Sequence, residues 1–388
     1  MRVRSSVFAL VLIVAAAAGW QIAQPLSAQT GAAPKFEVDR LWPKPLPNHW
    51  ILGSVTGLAV DAQDHIWIVH RGLDSLTQRT EAGLATTPPG SEDCCGPAPP
   101  VLEFDAAGTL VGHWGGPGQG YEWPISPGGI EVDAKGNVWI TAAGPPDVPV
   151  AAPPAAGAGG GTGRAGGGNR AGGAAAPPRP ADAHVLKFTR TGQFVLQIGK
   201  AGQTGTKDSE ASLDRPADVA VDSAANEVYV ADGGASQRIV VFDAMTGLPK
   251  RHWGGQGTSF TRVSCVALSK DGLVYVCDRN NNRIQVFKKD GTFVKEAFVS
   301  KATLLAGSVW DIAFSPDAQQ RNLFVADGQD NKIFVLDRAA LTEVSNFGGG
   351  GGWPGSFRLV GSIGVDSKGN IYTGETFEGK RVQKFVKK

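Results

Sequence analysis

The sequence has almost no net charge: 37 Lys and Arg against 36 Asp and Glu leave +1 over 388 residues. With no basic stripe to offset that balance, nothing in the chain attracts a nucleic-acid backbone, and no nucleic-acid partner is expected. Long hydrophobic runs are also missing. The apolar stretch Val7 to Ala18 follows Arg2 and Arg4 and precedes Ser27 and Ala28. It is too short and too rich in small residues for a membrane span, and its layout is that of an export signal. Residues 1–28 are therefore expected to be a signal peptide, cleaved after Ala28 with Ala18 as the second choice and a retained anchor as the alternative. Cysteine is scarce at four residues, none near the cleavage region, which argues against a lipoprotein anchor. The mature protein is expected to be periplasmic or secreted, where disulfides persist, with no membrane span after signal removal.

What the chain has in quantity is Gly, 53 residues, and Pro, 25. Helical bundles and coiled coils do not absorb so many breakers, while 42% hydrophobic residues supply a packed core. Internal repetition carries most of the information. One segment recurs six times, as Gly57 to Asp61, Gly129 to Asp133, Asp218 to Asp222, Cys265 to Ser269, Asp311 to Ser315 and Ser362 to Asp366. The final residues of successive copies are 72, 89, 47, 46 and 51 positions apart. The long intervals hold insertions, and the underlying period is that of a four-stranded propeller blade.

Each copy is followed by a polar turn and a second strand, as in Ile66-Trp67-Ile68 and Val274-Tyr275-Val276. The turns Lys135-Gly136-Asn137, Lys270-Asp271-Gly272 and Lys368-Gly369-Asn370 suit hairpins, because Gly and Asn accept positive φ. Third strands recur from Val101 to Phe104 through Val382 to Phe385, and fourth strands end in an aromatic residue or Ile before Gly. The sixth copy stops after its third strand. Phe36 to Val38 or Trp50 to Leu52 is expected to supply the missing strand and close the ring, leaving no exposed sheet edge. The reading is an all-β, six-bladed β-propeller of four-stranded antiparallel blades over residues 29–388, closed by an N-terminal strand, and a monomer.

Two insertions interrupt it. Residues 143–182 are almost entirely Gly, Ala and Pro and are expected to be disordered. Residues 72–100 form a loop carrying Cys94 and Cys95, which sequence leaves as a vicinal disulfide or as thiols. Cys265 and Cys277 flank one hairpin turn at nearly opposite positions. Buried thiols and a cross-strand disulfide are equally weighted, and a zinc pair is disfavoured because no further ligand is spaced to complete it.

The repeat signature resembles that of NHL-repeat propellers. Val69-His70-Arg71-Gly72, Arg215 to Val221, Val228 to Gly233 and Asp278 to Phe287 further resemble the bacterial relatives of the peptidyl-α-hydroxyglycine α-amidating lyase family. That resemblance implies a zinc lyase producing an amide and glyoxylate, with three metal histidines at the heads of inner strands. Those places fall on Gly128, Ser264 and Gly361 here, the catalytic tyrosine falls on Gly234, and an Asp that resembles a calcium ligand falls on Ser362. The two family arginines remain as Arg71 and Arg279. The six histidines, His49, His65, His70, His113, His184 and His252, do not form a spaced zinc set,. No zinc or calcium cofactor is expected, and no residue is given a catalytic role.

Asp232, Asp278, Asp327 and Glu375 each precede a basic residue, respectively Arg238, Arg283, Lys332 and Arg381, and are read as intra-blade ion pairs. The surplus charges His70, Arg71, Asp218, Arg279 and Asp311 are expected around one mouth of the channel as a ligand-binding set. Arg71 and Arg279 would present forks to a small-molecule or peptide carboxylate. The functional expectation is a binding or catalytically degenerate relative of the lyases. The alternative is an active lyase or lactone hydrolase with a relocated metal.

Overall fold

The computed structural model describes residues 33–76, 95–144, 181–206, 208–255 and 259–388. The expected signal peptide, Cys94 and most of both insertions lie outside them. Residues Pro34–Lys388 form one compact unit. Six four-stranded antiparallel sheets follow one another along the chain. Blade one comprises Val55–Val60, Ile66–His70, Val101–Phe104 and Leu110–Trp114, and blade two Pro127–Val132, Val138–Ala142, His184–Phe188 and Phe194–Gly199. Blade three comprises Pro216–Asp222, Glu227–Asp232, Arg238–Asp243 and Pro249–Gly254. Blade four comprises Val263–Leu268, Leu273–Asp278, Arg283–Lys288 and Phe293–Phe298. Blade five is built from Asp311–Phe314, Asn322–Asp327, Lys332–Asp337 and Thr342–Gly348.

Blade six takes Val360–Val365, Ile371–Glu375 and Val382–Lys387 from the end of the chain and Phe36–Asp39 from its beginning. The closing strand pairs antiparallel with the last, Val38 opposite Phe385. Of the two sequence candidates, Phe36 to Val38 is the closing strand. Trp50–Ile51 instead forms a short parallel pair with Gly96–Pro97.

The recurring aspartate at the end of strand one explains why the hairpin signal repeats. Asp133 accepts the Lys135 and Asn137 amides at 2.9 Å, and Asp61 and Asp366 repeat the arrangement. The same carboxylates also accept from the strand-two aromatics Trp67, Trp139 and Tyr372 at 3.0–3.1 Å. One side chain thereby fixes both the turn and the ring, satisfying polar groups that burial would otherwise strand. Gly136, Gly272 and Gly369 take φ of 78°, 81° and 84° in the first hairpin turns of blades two, four and six, a region that penalises a Cβ,.

Six hydrophobic clusters seal six blade interfaces. Trp139 and Val185 of blade two pack with Val219 and Val228 of blade three. Leu58 and Phe104 of blade one pack with Tyr372 and Val382 of blade six, so the ring is closed by core as well as by hydrogen bonds. Cys265 and Cys277, directly opposite each other on strands one and two of blade four, form a disulfide with Cα atoms 4.9 Å apart. Cys95 is also disulfide-bonded. Among the described residues no helix is long and apolar enough to cross a membrane.

The expected ion pairs occur in three blades. Asp232 accepts from Arg238 Nε at 3.0 Å, Asp278 from Arg283 Nε at 2.7 Å and Glu375 from Arg381 Nε at 2.5 Å. Asp327 departs from the expectation. It lies opposite Lys332 in the sheet, but its Oδ1 accepts the Gln329 and Asp330 amides at 2.9 Å and its buried Oδ2 has no hydrogen-bond partner. The loop turns back on its own backbone, and Lys332 makes no salt bridge among the described residues.

Candidate functional site at the channel mouth

The six first strands converge on a central channel, and what they present there is set by two columns of the repeat. The third repeat residue is Ala59, Glu131, Ala220, Ala267, Ala313 or Gly364, and all six line one chamber of about 340 Å³. Small side chains keep that chamber open. Above it, sharing Thr56, Ala217, Ser264, Trp310 and Gly361 as walls, a second cavity of about 110 Å³ forms the mouth.

The residue following strand two lines the mouth in four blades, as Arg71, Ala143, Arg279 and Thr376. Arg71 and Arg279 therefore meet across one small cavity, and Arg262, just before strand one of blade four, joins them. The guanidinium of Arg279 lies 4.2 Å from the centroid of the Trp310 ring, and that of Arg71 lies 5.8 Å from the centroid of Phe377. Stacking on an aromatic face holds a planar cation in place. Arg262 Nη1 donates to the Gly233 carbonyl at 3.2 Å, and its own carbonyl accepts the Arg279 amide at 2.8 Å, which couples the two residues.

Arg71 is half-buried. Its Nε is buried without a hydrogen-bond partner, and it forms no salt bridge among the described residues. Burial draws its pKa down to about 10, opposed by the charge of Asp182. Asp182 is itself committed, accepting the amides of Ile125, Ser126 and Gly144 at 2.9–3.1 Å.

Asp218 and Asp311 lie in the chamber below the mouth, not at its rim. Asp218 Oδ2 accepts the Val266 amide at 3.0 Å, and Asp311 Oδ2 accepts that of Ile363 at 2.9 Å, so each aspartate ties its blade to the next. Their carboxylates approach within 4.8 Å of each other. Burial raises Asp218 to about 7, and burial together with the Asp218 charge lifts Asp311 well above its ordinary value. Glu131, raised to about 8 by burial and then by Asp218 and Asp133, completes an acidic chamber under a basic mouth.

His70 is placed elsewhere. It is fully buried in blade one, where Nδ1 accepts the Gly53 and Gly72 amides at 3.2 and 3.0 Å and Nε2 donates to the Pro99 carbonyl at 2.9 Å. Burial lowers its pKa to about 4, against the Pro99 hydrogen bond, and keeps it neutral. At the end of strand two it stands where blades three, four and six have their paired carboxylate. The sequence set therefore divides: Arg71 and Arg279 share the mouth, Asp218 and Asp311 share the chamber, and His70 braces a loop.

Arg262 and Glu131 were missed by sequence reasoning. Glu131 had a signal, as a charge in a column otherwise Ala or Gly. Arg262 had one too, since it matches Arg215 immediately before strand one.

The NHL repeat model matches residues 213–242 and 260–287, the first three strands of blades three and four with the segments leading into them. The chain carries NHL repeats. Its NHL-repeat propeller is 29% identical over 166 residues to mouse NHL repeat-containing protein 3, covering 42% of this chain and 43% of that protein. Over 288 residues it is 25% identical to rat peptidylglycine alpha-amidating monooxygenase, covering 70% of this chain and 24% of the rat protein. The chain thus spans less than half the length of these relatives. A solved structure of a Bacteroides thetaiotaomicron VPI-5482 protein of unknown function superposes with a TM-score of 0.51 at 14% identity, covering 87% of this chain and 70% of that one, a likeness of fold.

Proposed function

We propose that this NHL-repeat propeller is an exported, monomeric binding protein that takes a small carboxylate, or the carboxylate end of a peptide, at the arginine mouth without zinc. The observation that carries the reading is Arg71: a half-buried guanidinium with an unused Nε and no ion pair among the described residues, facing a cavity that Arg262 and Arg279 also line. Three guanidinium groups line a cavity of about 110 Å³, and an entering carboxylate would accept paired N–H donors there,. The size of the cavity suits a terminal carboxylate better than a whole ligand, so the remainder would extend into solvent or down the chamber.

The mouth residues do not fit the zinc that the amidating-lyase resemblance implies. A Cβ on Gly128 would lie 2.5 Å from Thr141 Oγ1 and 2.7 Å from the Ala217 carbonyl, so no imidazole replaces it without rebuilding the wall. Ser264 spends its hydroxyl on the Val309 carbonyl at 2.9 Å, and Gly361 offers no donor atom. At Gly234 a Cβ would lie 2.3 Å from Asp214, leaving no room for a phenol. Export is supported by the signal-like residues 1–28 and by the Cys265–Cys277 disulfide, which suits an oxidising compartment,.

A second reading, an active lyase or lactone hydrolase with a relocated metal, is favoured by the close approach of Asp218 and Asp311 in the chamber. Incubating the mature protein with a peptidyl-α-hydroxyglycine, with and without added zinc, separates the two. The binding reading expects no glyoxylate release in either case. Metal-dependent release by the unmodified protein overturns it in favour of the second.

A further inference from the structure

Blade five breaks a rule that blades three, four and six keep. In blades three, four and six the last residue of strand two is a buried carboxylate neutralised by an arginine guanidinium at or just before the start of strand three. In blade five the carboxylate persists as Asp327, fully buried, but the arginine is Lys332 and forms no ion pair among the described residues. Asp327 Oδ2 is left without a partner. The neighbouring charged group is another carboxyl: Asp330, whose amide donates to Asp327 Oδ1 at 2.9 Å, helps burial by its charge to hold the Asp327 pKa up at about 7.

Two adjacent carboxyls, one of them buried, call for a cation or a shared proton. The surroundings favour a cation. Asp330 is exposed, which gives an ion a path from solvent. Its Oδ2 is fixed by Ser300 Oγ at 3.1 Å and Thr303 Oγ1 at 2.8 Å, both donating, which aims the carboxyl without neutralising it. All the donors are oxygens, the preference of hard divalent ions.

We propose that blade five binds a divalent cation, calcium by the hardness of its donors, between Asp327 and Asp330 in the place that a guanidinium fills in the sister blades. Neither Asp327 nor Asp330 lines the arginine mouth, and the proposal is independent of the carboxylate reading. With two carboxylates and the rest of the shell from water, it belongs among weak sites, with Kd on the order of 10⁻⁴–10⁻³ M.

Terbium luminescence tests it on the full chain, because the Trp310 ring lies beside Gly328, the residue after Asp327, and serves as the energy donor. The expected result is tryptophan-sensitised terbium emission that calcium displaces. It comes with a rise in Tm of about 2 °C when calcium replaces chelator at ten times Kd. Asp330→Asn, at an exposed position, should lower the sensitised emission at least five-fold and remove the Tm response. Lys332→Arg should also remove that response while raising the Tm in chelator, by restoring the sister-blade clamp. Absence of any calcium response overturns the proposal and leaves a shared proton. A response unchanged in Asp330→Asn overturns it equally, by placing the ion elsewhere.

Discussion

Replacing Glu131 by Gln should stabilise the protein, and by an amount that grows with pH. Burial and the neighbouring Asp218 and Asp133 raise Glu131 from 4.5 to about 8 in the folded chain. A carboxyl whose folded pKa is raised contributes stability that is complete below its unfolded pKa and is lost as pH climbs through the folded one. The window is therefore pH 4.5 to 8. A shift of that size corresponds to at most about 5 kcal/mol, and relaxation of the Asp218 and Asp311 pair reduces it. The expected gain for Glu131→Gln is on the order of 2–4 kcal/mol at pH 8.5 and near zero at pH 4.5. Loss of Glu131 also lightens the burden on Asp311, whose raised pKa has Glu131 among its causes, so the coupling acts in the same direction. Urea midpoints of the parent and variant at both pH values measure it. An equal shift at the two values, or destabilisation at pH 8.5, would refute the enclosed acidic chamber.

Arg238→Ala leaves the Asp232 carboxylate buried and unpaired, and at pH 7.5 should cost about 3–5 kcal/mol in urea unfolding. Removing residues 34–40 deletes the strand that pairs with Val382–Lys387 and should make the protein aggregate, read as material in the void volume on size exclusion,. The Cys265→Ser, Cys277→Ser double variant opens a cross-link 12 residues apart and should lose about 3 kcal/mol of stability, read as a lowered urea midpoint,.

The architecture was legible because blades one, two and six close the strand-one turn with the same residues. An aspartate closing the turn and binding the strand-two aromatic must recur wherever that hairpin recurs, so Asp61, Asp133 and Asp366 mark the period. The closing strand was narrowed to two candidates, and pairing with Val382–Lys387 selected Phe36–Asp39. The site was legible in part. Position along the repeat shows which residues face the channel, but depth along its axis depends on how the strands converge, and so Asp218 and Asp311 fell below the mouth where Arg71 and Arg279 meet. His70 was misplaced for a similar reason: being next to Arg71 in sequence puts it on the opposite side of the strand, inside the blade,. The Asp327 departure was hidden because Lys and Arg carry the same charge, whereas only the planar fork of Arg makes the clamp in the sister blades.

The central claim, that the arginine mouth recognises a carboxylate without metal, is tested most directly by calorimetric titration in zinc-free buffer at pH 7.5. N-acetylglycine and N-acetylglycinamide differ only in the group the guanidinium forks would grip. The account predicts binding of the acid at least ten-fold tighter than the amide, and a loss of about 10- to 100-fold in acid affinity in the Arg71→Ala, Arg279→Ala variant. Equal affinity for acid and amide, or acid binding that survives loss of both arginines, would contradict it.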